Sequence, residues 1–458
     1  MRGRRGCVNS VRSETPSASA SLRAVLDAHL PAGACALVVG LSGGADSTAL
    51  LALAAALGED FRGRLRAVHI DHGLQVAAAS LRDACRVACT ALAVPLSIIP
   101  VTVRSNGSSV EEAARDARYA ALAAELGPGE CLLTAHHRED QAETLLLQAL
   151  RGAGVRGMSA MPICRPLGAG WHLRPLLGMS QSKLLEYGAA FSGVSFSDPM
   201  NRDLAFDRGY LRQQVWPLLT ARWPGAALAL ARSARHAAEA QSLLDHAAAA
   251  DLVRLKDGDA LSVPGLRALG AQQQINVLRF WIGTAGVEPP PTALLCEALR
   301  QIFDAQADHL PSIGWGEHAL RRYRQRIFLT ERHPPRLLDP REWLPAAESR
   351  VDLGPRLGAL RWVSQNGGID FTRLPPTLSV RRRRGGETLK PAAKAKTTSV
   401  QHLCQLQGVL PWMRDALPLV FAGDALIAVA DLWLDARWCV APAAPGAALE
   451  WREAPIIG

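Results

Sequence analysis

Residues 36–53 read Ala36-Leu37-Val38-Val39-Gly40-Leu41-Ser42-Gly43-Gly44-Ala45-Asp46-Ser47-Thr48-Ala49-Leu50-Leu51-Ala52-Leu53. The apolar run up to Leu41 predicts a buried strand, and the run from Ser47 onward predicts a helix. The small residues between them predict a turn. Paired glycines let the backbone approach a ligand closely and take up dihedrals that other residues resist. Serine hydroxyls and free N–H groups at a helix start, helped by the helix dipole, form an anion site suited to phosphate. Asp46 is the odd member. A carboxylate inside a phosphate turn repels its ligand unless a divalent cation such as Mg2+ lies between them.

The stretch carries neither G-x-x-x-x-G-K-[ST] nor G-x-G-x-x-G, so a Walker-type NTPase is excluded and a dinucleotide fold is unsupported. The pattern S-G-G-x-D-S after a buried strand resembles the pyrophosphate loop of the ATP pyrophosphatases, which cut ATP between its α and β phosphates. The cofactors expected from this loop are ATP and Mg2+, with Ser42, Gly43, Gly44, Ala45, Asp46 and Ser47 holding the nucleotide and Asp46 the metal.

With 458 residues the chain is too long for one core, and two or three domains are expected. A hydrophobic share of 48% with 5% aromatic residues reads as a globular protein rich in alanine. The net charge of +9 points to an anionic partner larger than a small ligand, although clustering matters more than the total. Nine cysteines are scattered without a C-x-x-C, which argues against disulfides and a zinc or iron–sulfur site and for thiols in a reducing cytoplasm. No apolar run reaches the about 18 residues of a membrane span, so a cytoplasmic protein without membrane contact is expected. Residues 1–20 are rich in Arg and Ser and read as a disordered extension.

From residue 21 to 126, strand-like runs alternate with helical stretches. Leu65-Arg66-Ala67-Val68-His69-Ile70 is a second strand ending in Asp71-His72-Gly73-Leu74, followed by a helix over 76–93. Residues 96–103 form a third strand region. The next helix opens at Ser109 with Glu112 three residues later, a capping-box pattern. A fourth strand, 131–135, leads into a helix over 139–150. Such alternation predicts an α/β fold with a parallel sheet and helices on both faces, and a site beyond the carboxyl ends of the strands. The glycine-paired turn, Asp71-His72 and His136-His137 all fall at strand ends. After Trp223-Pro224-Gly225 the composition turns to an alanine-rich helical tract, then to helices and short strands.

His136, Asp140 and Glu143 are four and three positions apart, which places them on one helical face. Such a face can ligate a metal, hold an ammonium group, or simply be a solvated helix start enriched in acids. Arg115 and Arg118 with Tyr119 form either a solvated basic face or a pair aimed at polyphosphate charge. Arg381, Arg382, Arg383, Arg384, Lys390, Lys394 and Lys396 put seven cations within sixteen positions, with Glu387 the only acid. That is a candidate phosphate contact for RNA, against the alternative of a solvated basic loop.

Taken in order, these blocks resemble bacterial tRNA(Ile)-lysidine synthases. The matching stretches are Asn106 through Glu112 with Ala114-Arg115 and Arg118-Tyr119, and Ala135-His136-His137-Arg138-Glu139-Asp140-Gln141-Ala142-Glu143-Thr144. Arg151-Gly152 with Gly154 and Gly157, Arg174-Pro175-Leu176-Leu177, Asp198-Pro199-Met200-Asn201-Arg202-Asp203, Arg208 and Leu211-Arg212 continue the match. In the C-terminal part it is carried by Arg381 to Arg384, Gly385-Gly386-Glu387, Lys390-Pro391 and Pro411-Trp412-Met413-Arg414. Glu139 stands where the family usually has an aspartate, Gly209 where it has asparagine, and Gln75 where arginine is common.

The resemblance implies a two-step modification of the wobble cytidine of tRNA(Ile) with a CAU anticodon, using ATP and free L-lysine. It implies catalytic roles for Asp46, Arg115, His136, Asp140, Glu143 and Arg208, and lysine binding by Asp140 and Glu143. It also implies tRNA binding by the basic cluster. The expected organisation is a catalytic domain over 21–220, a mainly helical tRNA-positioning domain over 221–335, a linker over 336–373 and a small α+β domain over 374–445. A homodimer is the expected assembly. The rival readings are a tRNA thiolase or an amidotransferase-linked synthetase, whose cysteine nucleophiles the chain lacks, and a non-catalytic nucleotide- or tRNA-binding protein.

Overall fold

Strand β1 (Ala36–Gly40) is apolar along its length, and its central residues Leu37, Val38 and Val39 are fully enclosed. It runs parallel to β2 (Leu65–Asp71), with Leu37 opposite Leu65, and to β4 (Glu130–Leu133), with Val39 opposite Leu133. β3 (Leu96–Pro100) lies parallel beside β2. β6 (Gly170–Leu173) lies parallel beside β4, and β5 (Cys164–Leu167) closes that edge antiparallel to β6. The order across this six-stranded sheet is β3-β2-β1-β4-β6-β5. The computed structural model describes residues 18–71, 78–102, 110–191, 206–306, 310–337, 339–346 and 348–455. Residues 1–17 of the expected extension, His72, Gln75, Asn106, Ser109 and the Asp198–Asp203 motif lie outside the described residues.

A central parallel strand is covered on both faces, so its side chains need no polar alternation. Leu37 and Val39 point into one apolar cluster with Leu22 and Leu26 of α1 (Ala18–His29) and Leu50, Leu51 and Leu53 of α2 (Ala45–Ala55). α3 is a single turn (Glu59–Arg62), and α4 (Ala78–Leu92) adds Cys85 and Cys89 to the same cluster. Val38 points the other way, with Val68 and Leu132, onto Leu122 and Leu126 at the end of α5 (Val110–Glu125). Helix α2 is buried on every side from Ser47 to Ala54; Ala49 to Ala54 are all apolar, and Ser47 and Thr48 donate their hydroxyls to the Gly44 carbonyl. The chain leaves β1 for β2 on one side and later returns as β4 on the other. Helices that follow β1 and β4 therefore part company there, and a crevice opens at the carboxyl ends.

Two local features depart from expectation. Ala18 to Ala20 begin α1 and do not belong to an extension, because Leu22 and Leu26 of that helix are drawn into the core. The β5–β6 hairpin was not legible. Its strands have four residues each, and its tight turn needs Gly168 at φ +57, where a Cβ would fall 2.2 Å from the Ala123 carbonyl oxygen. After it come α8 (Gln181–Phe191) and α9 (Asp207–Tyr210), a π-helical turn (Leu211–Val215), α10 (Trp216–Arg222) and α11 (Ala226–Leu255). Between β4 and β5 lie α6 (Arg138–Leu150) and the short α7 (Val155–Met158).

The chain divides into two compact units, Met1–Leu244 and Asp245–Gly458. In the second, β7 (Lys256–Asp257), β8 (Ala260–Ser262), β9 (Ser312–Trp315), β10 (His318–Tyr323) and β11 (Arg326–Glu331) form a five-stranded antiparallel sheet. It shares a core with α13 (Ala271–Thr284) and α14 (Thr292–Asp304), preceded by the turn α12 (Val263–Arg267). The stretch 336–373 is not a linker. It carries β12 (Arg341–Trp343), β13 (Arg350–Asp352) and β14 (Ala359–Asn366). β14 buries Leu360 and Trp362 and pairs with the last strand of the chain's described residues (Pro445–Arg452), so the C-terminal fold also runs past residue 445. Among the described residues no helix is long and apolar enough to cross a membrane.

Candidate active site

The glycine-paired turn is braced by its own serines. Ser42 N–H donates to Ser47 Oγ at 3.1 Å, Ser47 Oγ donates to the Gly44 carbonyl at 3.0 Å, and the two hydroxyls are 3.0 Å apart. Gly44 caps α2 without a side chain, so the first turn of that helix keeps backbone N–H groups for an anion. Gly43 sits at φ +85 with its Cα against α4, where a Cβ would be 2.7 Å from the Leu81 carbonyl oxygen. Only glycine fits there.

His137, the residue that starts α6, joins the loop to the acidic helix. Its Nε2 lies 3.7 Å from Asp46 Oδ2 and 3.5 Å from Asp140 Oδ2, and its Nδ1 lies 3.0 Å from Glu139 Oε2. Asp140 also accepts the His137 backbone N–H at 3.0 Å, which closes the helix start. Burial alone would lower the His137 pKa, but the carboxylates of Asp46, Glu139 and Asp140 outweigh it and raise it to about 10. The ring is therefore an imidazolium at neutral pH. Gln181, at the start of α8, completes the link: its N–H donates to Glu139 at 2.9 Å and its Nε2 to Asp46 Oδ2 at 3.2 Å.

Further along α6 the carboxylates meet two arginines. Arg212, in the π-helical turn, donates from Nη2 to Asp140 Oδ1 at 2.5 Å and from Nε to Glu143 Oε1 at 2.6 Å. Arg208 donates to Thr144 Oγ1 at 2.7 Å and lies 3.4 Å from Glu143 Oε2. That second oxygen of Glu143 is buried and accepts no hydrogen bond among the described residues. Burial is the main cause of a raised Glu143 pKa, opposed by Arg212 and reinforced by the Asp140 charge. π-helical turns recur where a side chain has to be re-aimed, and this one carries Arg212 onto both acids.

His136 lies on the other side of the same mouth. Its Nδ1 is 2.8 Å from Thr134 Oγ1, which is also 2.8 Å from Nε2 of His172 on β6. Arg118 lies 5.7 Å from the ring centre of Tyr119. Arg115 stands 5.3 Å and Arg165 5.4 Å from the ring centre of Tyr119, which in turn is 5.6 Å from the His172 ring.

Comparison with known proteins agrees with this geometry. A PP-loop domain family matches residues 17–219, a TilS substrate binding domain family 261–328, and a TilS substrate C-terminal domain family 378–451. The chain is 42% identical over 409 residues to a tRNA(Ile)-lysidine synthase of Alkalilimnicola ehrlichii, covering 88% of this chain and 91% of that one. The chain belongs to the tRNA(Ile)-lysidine synthase family. Two further members are the enzymes of Xanthomonas axonopodis pv. citri, 38% identical over 91% of this chain and 94% of that one, and Pseudomonas aeruginosa, 40% identical over 86% and 89%.

Of the residues singled out from sequence, the fold gathers Asp46, Asp140, Glu143 and Arg208 into one connected group, with His136 three residues beyond β4. Three residues without an expected role are central to it: His137, Gln181 and Arg212. His137 and Arg212 stood inside matched motifs, but nothing in Gln181 distinguished it 135 positions from its partner Asp46.

The basic cluster lies in the second unit. Arg382, Arg384, Lys394 and Lys396 are exposed, whereas Arg381 is folded against the Phe421 ring at 3.7 Å and pairs with Glu387 at 3.6 Å. The Glu387 carboxylate also accepts the backbone N–H groups of Arg384 and Gly385, at 2.6 and 2.9 Å, so the only acid of the cluster shapes its turn.

Proposed function

We infer that the chain joins free L-lysine to the wobble cytidine of tRNA(Ile) with a CAU anticodon, consuming ATP and releasing AMP and pyrophosphate. The observation that carries this reading is His137: one imidazolium lies within 4 Å of Asp46 in the phosphate loop and Asp140 on the acidic helix. Nucleotide loop and amine-binding face therefore share a single mouth.

In the first step the cytidine carbonyl oxygen attacks the α-phosphate of ATP, and the bond from the α-phosphorus to the bridging oxygen breaks. The Ser42–Ser47 turn offers backbone donors to the departing diphosphate. Asp46 fits Mg2+ as a single carboxylate at a phosphate loop, the common way that ion is held beside phosphate oxygens. Among the described residues no cluster of three or more ligating side chains surrounds it. When bound there, the ion supplies charge neutralisation between Asp46 and the phosphates. In the second step the uncharged ε-amine attacks the activated ring carbon and AMP leaves with the former carbonyl oxygen. The buried Glu143 Oε2, with no donor of its own and a raised pKa, suits the amine and then its proton. Asp140 and Glu143 are matched by Arg212 in this state, so an arriving ammonium shares or displaces that guanidinium. The exposed cations of the C-terminal unit suit tRNA phosphates.

The test is nucleoside mass analysis of tRNA(Ile) incubated with ATP and lysine. Lysidine is expected, with AMP release requiring both tRNA and lysine. Asp46→Ala is expected to abolish AMP release; full turnover in that variant removes the loop from the mechanism. A homodimer belongs to the same proposal, and a single monomeric species in sedimentation at micromolar concentration removes it.

A further inference from the structure

Two buried polar side chains beside the site have no part in the steps above. His172 is fully buried and Arg174 is 3% exposed. Burying a histidine and a guanidinium is costly unless both are hydrogen-bonded, so their partners define their purpose. Arg174 Nη1 donates to the Pro162 carbonyl at 2.7 Å, and its Nη2 lies 3.2 Å from His172 Nδ1.

A guanidinium has donors only, so His172 Nδ1 accepts and the ring carries its proton on Nε2. That N–H meets Thr134 Oγ1 at 2.8 Å. The threonine hydroxyl, already accepting, turns its one proton to its other neighbour, His136 Nδ1, also at 2.8 Å. His136 Nδ1 is thus an acceptor, and the proton of the neutral ring is on Nε2. Nε2 meets no partner among the described residues. Protonating His136 on Nδ1 would set two N–H groups against one hydroxyl and leave the hydroxyl proton without its acceptor.

We propose that Arg174, His172 and Thr134 form a positioning relay that fixes His136 as a neutral imidazole protonated on Nε2. His136 then serves the site as a hydrogen-bond donor to an oxygen of the adenylated base and not as the acceptor of the amine proton. This rests on the lysidine-forming reading for its substrate, but the relay itself does not. In the amine step the N–H bond breaks toward Glu143 Oε2, the C–N bond forms, and the C–O bond to AMP breaks, with no proton passing through His136. The charged groups facing His136 agree with the relay. Burial first, then Arg174, His172 and Arg208, lower its pKa to about 3, and only Asp140 on α6 opposes them. His172 is lowered to about 3 as well, by burial and by Arg174, Arg165 and Arg115.

The experiment is 15N NMR of the full chain labelled in histidine, with the His136 signals identified by their loss in His136→Gln. Nε2 is expected to stay protonated and Nδ1 unprotonated from about pH 5.5 to about pH 8.5, the range in which an ordinary histidine titrates. Thr134→Val, which removes the hydroxyl that donates to Nδ1, is expected to let the neutral ring populate the Nδ1-protonated tautomer as well, and Thr134→Ser, which keeps the hydroxyl, to restore the parent pattern. A parent His136 that titrates between pH 5.5 and 7.5, or that carries its proton on Nδ1, overturns the relay. Should Thr134→Val fail to fold, the parent and Thr134→Ser spectra still decide. Loss of lysidine formation with the parent NMR pattern intact would instead count against the substrate reading.

Discussion

His137 is buried, 3% exposed in its side chain, and surrounded by three carboxylates. Removing it takes the cation from Asp46 and Glu139 and leaves Asp140 with Arg212 alone, and breaking a buried pair of this kind costs about 3–5 kcal/mol. His137→Ala is expected to lose stability on that scale in chemical denaturation. The pH dependence has a definite sign. The folded pKa of about 10 stands above the ordinary value of 6.5, so the stabilisation is fully present below pH 6.5 and is lost as pH rises through about 10. In metal-free protein, the stability advantage of the parent over His137→Gln is expected to shrink across that window. An advantage that grows with pH would show that the ring is neutral in the fold. Sequence singled out His136 and gave its neighbour His137 no role. Only the hydrogen bonds separate them, one ring held charged among acids and the other held neutral among cations.

Among the elements, the β1–turn–α2 unit was legible because everything it needs is local: an apolar strand, a turn of small residues and a buried helix, in order. The spacing of Asp140 and Glu143 placed them on one helical face for the same reason. The β5–β6 hairpin, the α8 start with Gln181 and the strands in 336–373 were not legible, since short strands depend on distant partners for their existence. The turn itself makes a sharp prediction. Gly43→Ala forces an L-residue into the left-handed region, about 1–2 kcal/mol for the backbone alone. The added Cβ also overlaps the Leu81 carbonyl, so the α4 backbone must move. A lower melting temperature with a raised KM for ATP is expected. An unchanged KM for ATP would mean that nucleotide is held elsewhere.

For the molecule as a whole, +9 net charge is a weak signal until its placement is known. Arg382 and Arg384 are exposed in the cluster, so their replacement by alanine is expected to weaken tRNA binding similarly for all sequences. The slope of log affinity against log salt should fall by about one for each phosphate that is no longer neutralised. Unchanged affinity and slope in filter binding would leave the cluster as a solvated turn. A division into three domains and a linker is coarser than the fold, because residues 336–373 carry strands whose partners lie within that stretch or beyond it in the C-terminal part. One further consequence follows from the antiparallel strand that ends the six-stranded sheet. β5 shields β6, the strand that bears His172, and Pro166 within it removes a backbone donor from the outermost rung. A second chain approaching that flank finds an incomplete ladder, so growth of the sheet into aggregates is blocked beside the chemistry.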